Sequence, residues 1–244
     1  MAQKKKIKRL KAKDAMGRLD QMIGLIAVDV HVGLGVEAAL ETANEMATGP
    51  LRNIPFYGAD CYSAVRQSMA LFLAITLAKL FETPSLRGQS KGSRFNESDV
   101  ASIPLLIRLL KQGRCRKRLS NRARLWKPTN VPDIHARSCE RAIDKAVNAY
   151  AALRRKRSAR EAIAKLKKFR DKMLAHSLLG PALQERPKYR ELFLLMDAAR
   201  EVTEHAQLAI EGIHLDLADV ENKLTKMSRA FWEPAMTAAV EANR

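Results

Sequence analysis

The sequence predicts an all-α protein, a bundle of about six to eight helices. Composition points there first: 36 Ala and 30 Leu stand against 11 Val, 12 Ile and 8 Thr. Ala and Leu favour helices, whereas β-branched residues favour strands. Eleven Gly and nine Pro are too few turn formers for a chain of many short strands. Apolar residues also recur at three- and four-residue intervals, and a 47% hydrophobic share supports a sizeable core.

Taken in order, Met1–Lys13 holds seven bases and no acid, and reads as a tail able to lie along phosphate. A first helix is expected over Gly17–Ala47, from the stripe Leu19, Met22, Ile23, Ile26, Val30 and Leu34. Gly49 and Pro50 stop it, and Pro55 keeps the connector non-helical. A core helix follows over Ala59–Glu82, then a basic loop, Thr83–Phe95. Asn96 reads as a cap, and Pro104 either kinks the third helix or opens a new one that ends near Gln112 and Gly113. Arg114–Asn130 reads as basic and irregular.

Asp133 reads as the cap of a fourth helix running to Lys156. Ser158 and Glu161 have capping-box spacing and suggest a restart, with one continuous helix as the alternative. The fifth helix would end at Leu179, before Gly180 and Pro181, and a sixth spans Lys188–Ile213. One or two short helices, jointed near Pro234, finish the chain.

The net charge is +18, with a pI of about 10.1. It is split: Glu191–Arg244 carries 10 acids and 5 bases, a net of −5, and residues 1–190 carry +23. So lopsided a field favours a nucleic-acid partner. Cys61, Cys115 and Cys139 form no CxxC pair, which argues against a disulfide framework or a structural zinc and fits a reducing cytoplasm. The longest apolar stretch, Met69–Ala78, is about half of the ~20 residues that span a bilayer, so no membrane partner is expected.

No phosphate-cradling glycine loop and no HExxH occur, and no cofactor is expected. Glu211 and His214 match one ExxH, whereas a di-iron bundle needs two such motifs and two further carboxylates. His31, His135, His205 and His214 read as surface or packing residues. The segment Leu166–Leu178 differs: Arg170 is followed by Asp171 and then by His176. An imidazole can move the 2′-hydroxyl or leaving-group proton near neutral pH. An arginine can hold the phosphate and stabilise the added charge of the transition state, and the carboxylate can orient the arginine or the imidazole. The plainer reading is a basic helix with a solvated His near its C-terminus.

Positions six apart differ by about 240° around a helix, so one chain does not converge Arg170 and His176 on one phosphate. Two copies across a two-fold could, with Met173 and Leu174 packing the contact. Around this segment, Arg154, Arg155, Lys156, Arg157, Lys167, Lys168 and Lys172 form a candidate nucleic-acid surface, and two basic runs, Arg108–Arg124 and Arg154–Arg160, hold no acid. Aromatic residues are 5% of the chain, which argues against base stacking and for weak sequence preference.

The run Arg-Asp-Lys-x-x-Ala-His resembles the Arg-x(4–6)-His signature of the HEPN superfamily. More narrowly, the chain resembles the AbiU-type branch from bacterial abortive-infection systems, through the Tyr62–Gln67 segment, the Ala78–Phe81 run and Pro104–Leu110. The resemblance covers about residues 15–215. It implies an α-helical bundle that dimerises with its Arg/His motifs facing, metal-independent endoribonuclease activity on RNA, and control by an antitoxin partner or by phage infection. It carries over Arg170, Asp171 and His176 as the active-site set. The expected layout is a basic tail (1–16), a HEPN-like bundle (17–215) and an acidic helical appendage (216–244). Two rivals remain: a non-catalytic basic module that binds RNA or DNA, and an interaction protein whose acidic C-terminal part docks on its own basic body or on a partner.

Overall fold

The computed structural model describes residues 12–49, 57–83, 100–173 and 187–242. These hold α1 (Ala12–Thr48), α2 (Ala59–Leu80), α3 (Ile103–Leu110), α4 (Gly113–Ala123), α5 (Pro132–Arg155), α6 (Arg157–Met173), α7 (Tyr189–Glu211) and α8 (Leu217–Glu241), with no strand among the described residues. The all-α expectation holds.

The stripe on α1 folds as its spacing dictates. Leu19, Ile23, Ile26 and Val30 are fully buried, and α1 packs on α2, α7 and α8. Gly33 leaves room for α7: a Cβ there would lie 2.9 Å from Met196 Sδ. α5 and α7 form the most extensive helix pair. Between them the buried Cys139 thiol donates to the Ala209 carbonyl, 3.3 Å away, and burial pushes its pKa up to about 12. One buried acid interrupts the apolar face of α1. Burial raises Glu37 to about 8; Asp197 and Glu41 push the same way and Arg200 opposes them.

α1 and α2 are each long and apolar enough to cross a membrane by length and composition. This differs from the sequence expectation, which measured uninterrupted apolar runs. The buried stripe of α1 is core, while Leu25, Val28 and Val32 on α1 and Val65, Leu71 and Phe72 on α2 are exposed.

Four elements refine or overturn the expectations. Residues 114–130 are not wholly irregular, because Cys115, Leu119 and Ala123, four residues apart, are fully buried and draw a basic segment into α4. Pro104 opens a new helix, with Ser102 extended ahead of it. The chain does break between the fourth and fifth helices, but at Lys156 (ψ 124°), so Ser158 lies inside α6 and caps nothing. The chain also ends in one long helix, since Pro234 lies inside α8. Pro234 and Ala230, whose carbonyl loses its partner, are both exposed, so water can satisfy that oxygen. Trp232 and Met236 anchor both sides of the proline, packing with Ala43 of α1 and with Tyr62 and Met69 of α2. Asp216 caps α8 by accepting the Asp219 backbone N–H at 3.0 Å. Asn96 and most of the expected basic loop lie outside the described residues.

Candidate active site and basic surface

α6 is built by its own periodicity. Ala159, Ala162, Leu166 and Phe169 face the core, and Lys167, Lys168 and Asp171 face outward. Arg170 falls on the flank between these faces, with its side chain 29% exposed. Its Nε and Nη2 donate to Asp171 Oδ1 at 3.0 and 2.8 Å, and its Nη1 reaches Glu82 Oε1 at 2.8 Å, just past the end of α2. Partial burial opposes the charge, but the bonds to Asp171 and Glu82 outweigh it and raise the arginine's pKa further. Three guanidinium N–H groups are thus committed and two are left to point elsewhere.

The start of α7 is tied to the same helix. Lys165 Nζ lies 2.7 Å from Glu191 Oε1, and Glu191 also accepts the Lys188 backbone N–H at 2.8 Å. Burial alone would raise the Glu191 pKa; these bonds and the two lysine charges lower it.

Of the expected catalytic set, the structure brings Arg170 and Asp171 together. His176 lies outside the described residues, as do Leu174 and the side chains of Lys172 and Met173. Glu82 was missed: it is 88 positions from Arg170, and nothing in its own segment marks it.

The two basic runs differ in their partners. Arg154, Arg155, Lys156, Arg157, Lys167 and Lys168 are all exposed at the α5–α6 junction and along α6. Arg157 pairs with Glu161 at 2.7 Å, and the other five have no ion pair among the described residues. The earlier run is partly consumed. Arg116 pairs with Asp144, Arg122 reaches Asp20 at 2.8 Å and the Ile210 carbonyl, and Arg124 reaches Asp133 at 2.7 Å. These arginines clamp α4 to α1, α5 and α7, and only part of that run faces solvent unpaired.

Glu211 and His214 do not form a helical ExxH pair. Gly212, at φ +73°, ends α7 between them. A Cβ there would sit 2.7 Å from the Trp126 ring, so only glycine fits both the turn and the contact.

The family model HEPN_AbiU2 (AbiU2) matches residues 57–231, well over half of the chain. The chain belongs to the HEPN-type AbiU2 family. That places it among abortive-infection proteins, as the motifs suggested. The AbiU2 match takes in Arg170, Asp171 and His176, begins just before α2 and ends within α8, so α1 lies ahead of it. No curated protein and no solved structure matches the chain.

Proposed function

We propose that this AbiU2-type protein is a metal-independent endoribonuclease acting in phage defence or as a toxin in the cytoplasm, restrained by an antitoxin partner or released by infection. The observation that carries the reading is Arg170: a guanidinium positioned by two carboxylates, half-buried, beside an exposed and mostly unpaired basic surface. An arginine so held loses little freedom when it meets a phosphate.

In this mechanism His176 takes the proton of the RNA 2′-hydroxyl. The 2′-oxygen bonds to phosphorus, and the 5′-oxygen of the next nucleotide leaves with a proton from the second imidazole. The products are a 2′,3′-cyclic phosphate and a 5′-hydroxyl. Arg170 stabilises the charge that accumulates on the phosphoryl oxygens, and Asp171 orients it. The site is composite: two chains face each other across a two-fold, so that two Arg170 and two His176 surround one phosphate. Arg154, Arg155, Lys156, Arg157, Lys167, Lys168 and Lys172 hold the RNA backbone, and neither a cofactor nor a membrane takes part.

A second reading has one observation in its favour. Two carboxylates already neutralise Arg170, as they would if it only latched α6 to α2 in a non-catalytic nucleic-acid-binding module. The deciding experiment incubates the purified protein with RNA in EDTA, beside His176→Ala. Cleavage that is lost in the variant while binding persists supports the nuclease; binding alone, indifferent to His176, supports the module.

A further inference from the structure

The turn at Gly212 brings together residues that the Arg170 site does not use. It carries His214 to a cavity of about 280 Å³ between α5 and α7. Ser138, Arg141 and Lys145 reach this cavity from one stripe of α5, at three- and four-residue spacing. Glu204 and His205 reach it from α7. Neither Arg141, Lys145 nor Glu204 has an ion-pair partner among the described residues. Two cations therefore face a cavity with their hydrogen-bonding capacity unspent.

We propose that this cavity binds a phosphate monoester. A guanidinium, an ammonium, a hydroxyl and two imidazoles supply donors from three separate elements, which suits the three oxygens of a terminal phosphate. Glu204 is the acceptor in the set and suits a hydroxyl of the esterified group. The donors do not suit a metal: no group of three His, Cys, Asp or Glu placed to hold one occurs among the described residues. The volume lies near the lower end of small-molecule sites, about 300–1,000 Å³, and fits a phosphate with part of its ester. The monoester has two possible sources, a free mononucleotide or the phosphorylated end of an RNA.

His205 makes such binding depend on pH. Burial lowers its pKa, Lys145 of α5 and His214 of the connector act in the same direction, and Glu204 and Glu201 of α7 oppose them. Arg141 adds a further positive charge at the cavity. The imidazole is therefore mainly neutral at pH 7 in the empty cavity. An entering dianion favours the imidazolium, so binding takes up a proton and tightens as pH falls from 8 toward 7, until the phosphate takes up its own second proton at about pH 6. The inference is independent of ribonuclease activity, because neither Arg170 nor His176 takes part.

The test titrates the full chain with inorganic phosphate, with adenosine 5′-monophosphate and with a short RNA bearing a 5′-phosphate or a 5′-hydroxyl. Calorimetry reads affinity, and proton NMR reads the His205 and His214 imidazoles. Saturable binding that shifts both imidazoles is expected. Arg141→Ala and Lys145→Ala should each weaken it about tenfold or more, the loss of one charge-assisted bond. Lys226→Ala, an exposed cation on α8, should leave it unchanged. Both altered side chains are exposed, and circular dichroism checks that the variants fold. Competition by the 5′-phosphorylated RNA and not by the 5′-hydroxyl RNA assigns the site to RNA ends. Saturation by the mononucleotide without such competition assigns it to free nucleotide. The proposal is overturned if no probe shifts the imidazoles, or if affinity is unchanged in both Arg141→Ala and Lys145→Ala.

Discussion

Along α4 and at its end, Arg116, Arg122 and Arg124 each close on a carboxylate, whereas at the α5–α6 junction Arg154, Arg155 and Lys156 close on none among the described residues. Neither Arg108–Arg124 nor Arg154–Arg160 contains an acid. The difference comes from elsewhere in the chain: Asp20, Asp133 and Asp144 are carried to α4 by α1 and α5, and no acid among the described residues is carried to the three junction residues. An arginine held by a carboxylate has fewer N–H donors left for a phosphate, and part of its charge is already neutralised. A bare cation exchanges only counterions. Basic sequence thus divides into clamp and track according to tertiary packing, and Arg170, half-exposed between two carboxylates, stands between these cases.

The largest expected effect is at Arg170 itself. If it stabilises charge on the phosphoryl oxygens, Arg170→Ala lowers the cleavage rate by about 10²–10³-fold, while RNA affinity, carried by the other cations, falls much less. Single-turnover cleavage against filter binding separates the two. An equal fall in both would make Arg170 only another backbone contact.

The same contrast between satisfied and stranded charge recurs in the core at Glu37. Its folded pKa of about 8 lies above the usual value of 4.5, so the native state binds the extra proton. Stability is then full below pH 4.5 and falls as pH rises toward 8, by about 1.4 kcal/mol for each unit between the two pKa values at most. Glu37→Gln should therefore raise Tm at pH 8 and leave it almost unchanged at pH 4, as thermal melts at the two pH values would report. Equal effects at both would place the carboxylate in contact with water.

A direct comparison of the runs comes next in size. Replacing Arg154, Arg155 and Lys156 with Ala should reduce the salt dependence of RNA binding by about 0.7 per lost phosphate contact and leave Tm alone. Replacing Arg116, Arg122 and Arg124 should do the opposite. Each exposed pair contributes about 0.2–1 kcal/mol after solvent screening, so Tm drops modestly and the salt slope holds. Binding isotherms at several salt concentrations beside melts would show the crossover. The smallest effect is expected at Glu82→Gln, which removes one competitor for Arg170 and should hold or slightly raise RNA affinity. A clear loss of stability with no change in binding would favour the latch between α2 and α6.

Much of the frame was legible because it rests on local periodicity. The stripe of α1 and the spacing of Leu192, Leu195, Met196, Ala199 and Val202 on α7 are three- and four-residue patterns, and all of these residues are buried. α4 was obscured because a dense run of bases hid three small or apolar residues four apart. α8 was cut short because a proline reads as a stop, although an exposed proline between two buried anchors does not end a helix. At the site, Arg170 and Asp171 are neighbours in sequence and were visible as a pair. Glu82 was not, since only the packing of α2 against α6 brings it within 2.8 Å. His205 and His214 looked unremarkable for the same reason: their shared cavity exists because Gly212 turns the chain, and an isolated glycine does not announce where the next residues go.

The most direct test of the ribonuclease account is end-group analysis of RNA incubated with the purified protein in EDTA, with His176→Ala in parallel. The account expects fragments ending in 2′,3′-cyclic phosphate, cleavage blocked by a 2′-deoxy residue at the cut site, and a variant that binds RNA without cutting it. Intact RNA bound by the wild-type protein, or fragments that persist unchanged in His176→Ala, would contradict it.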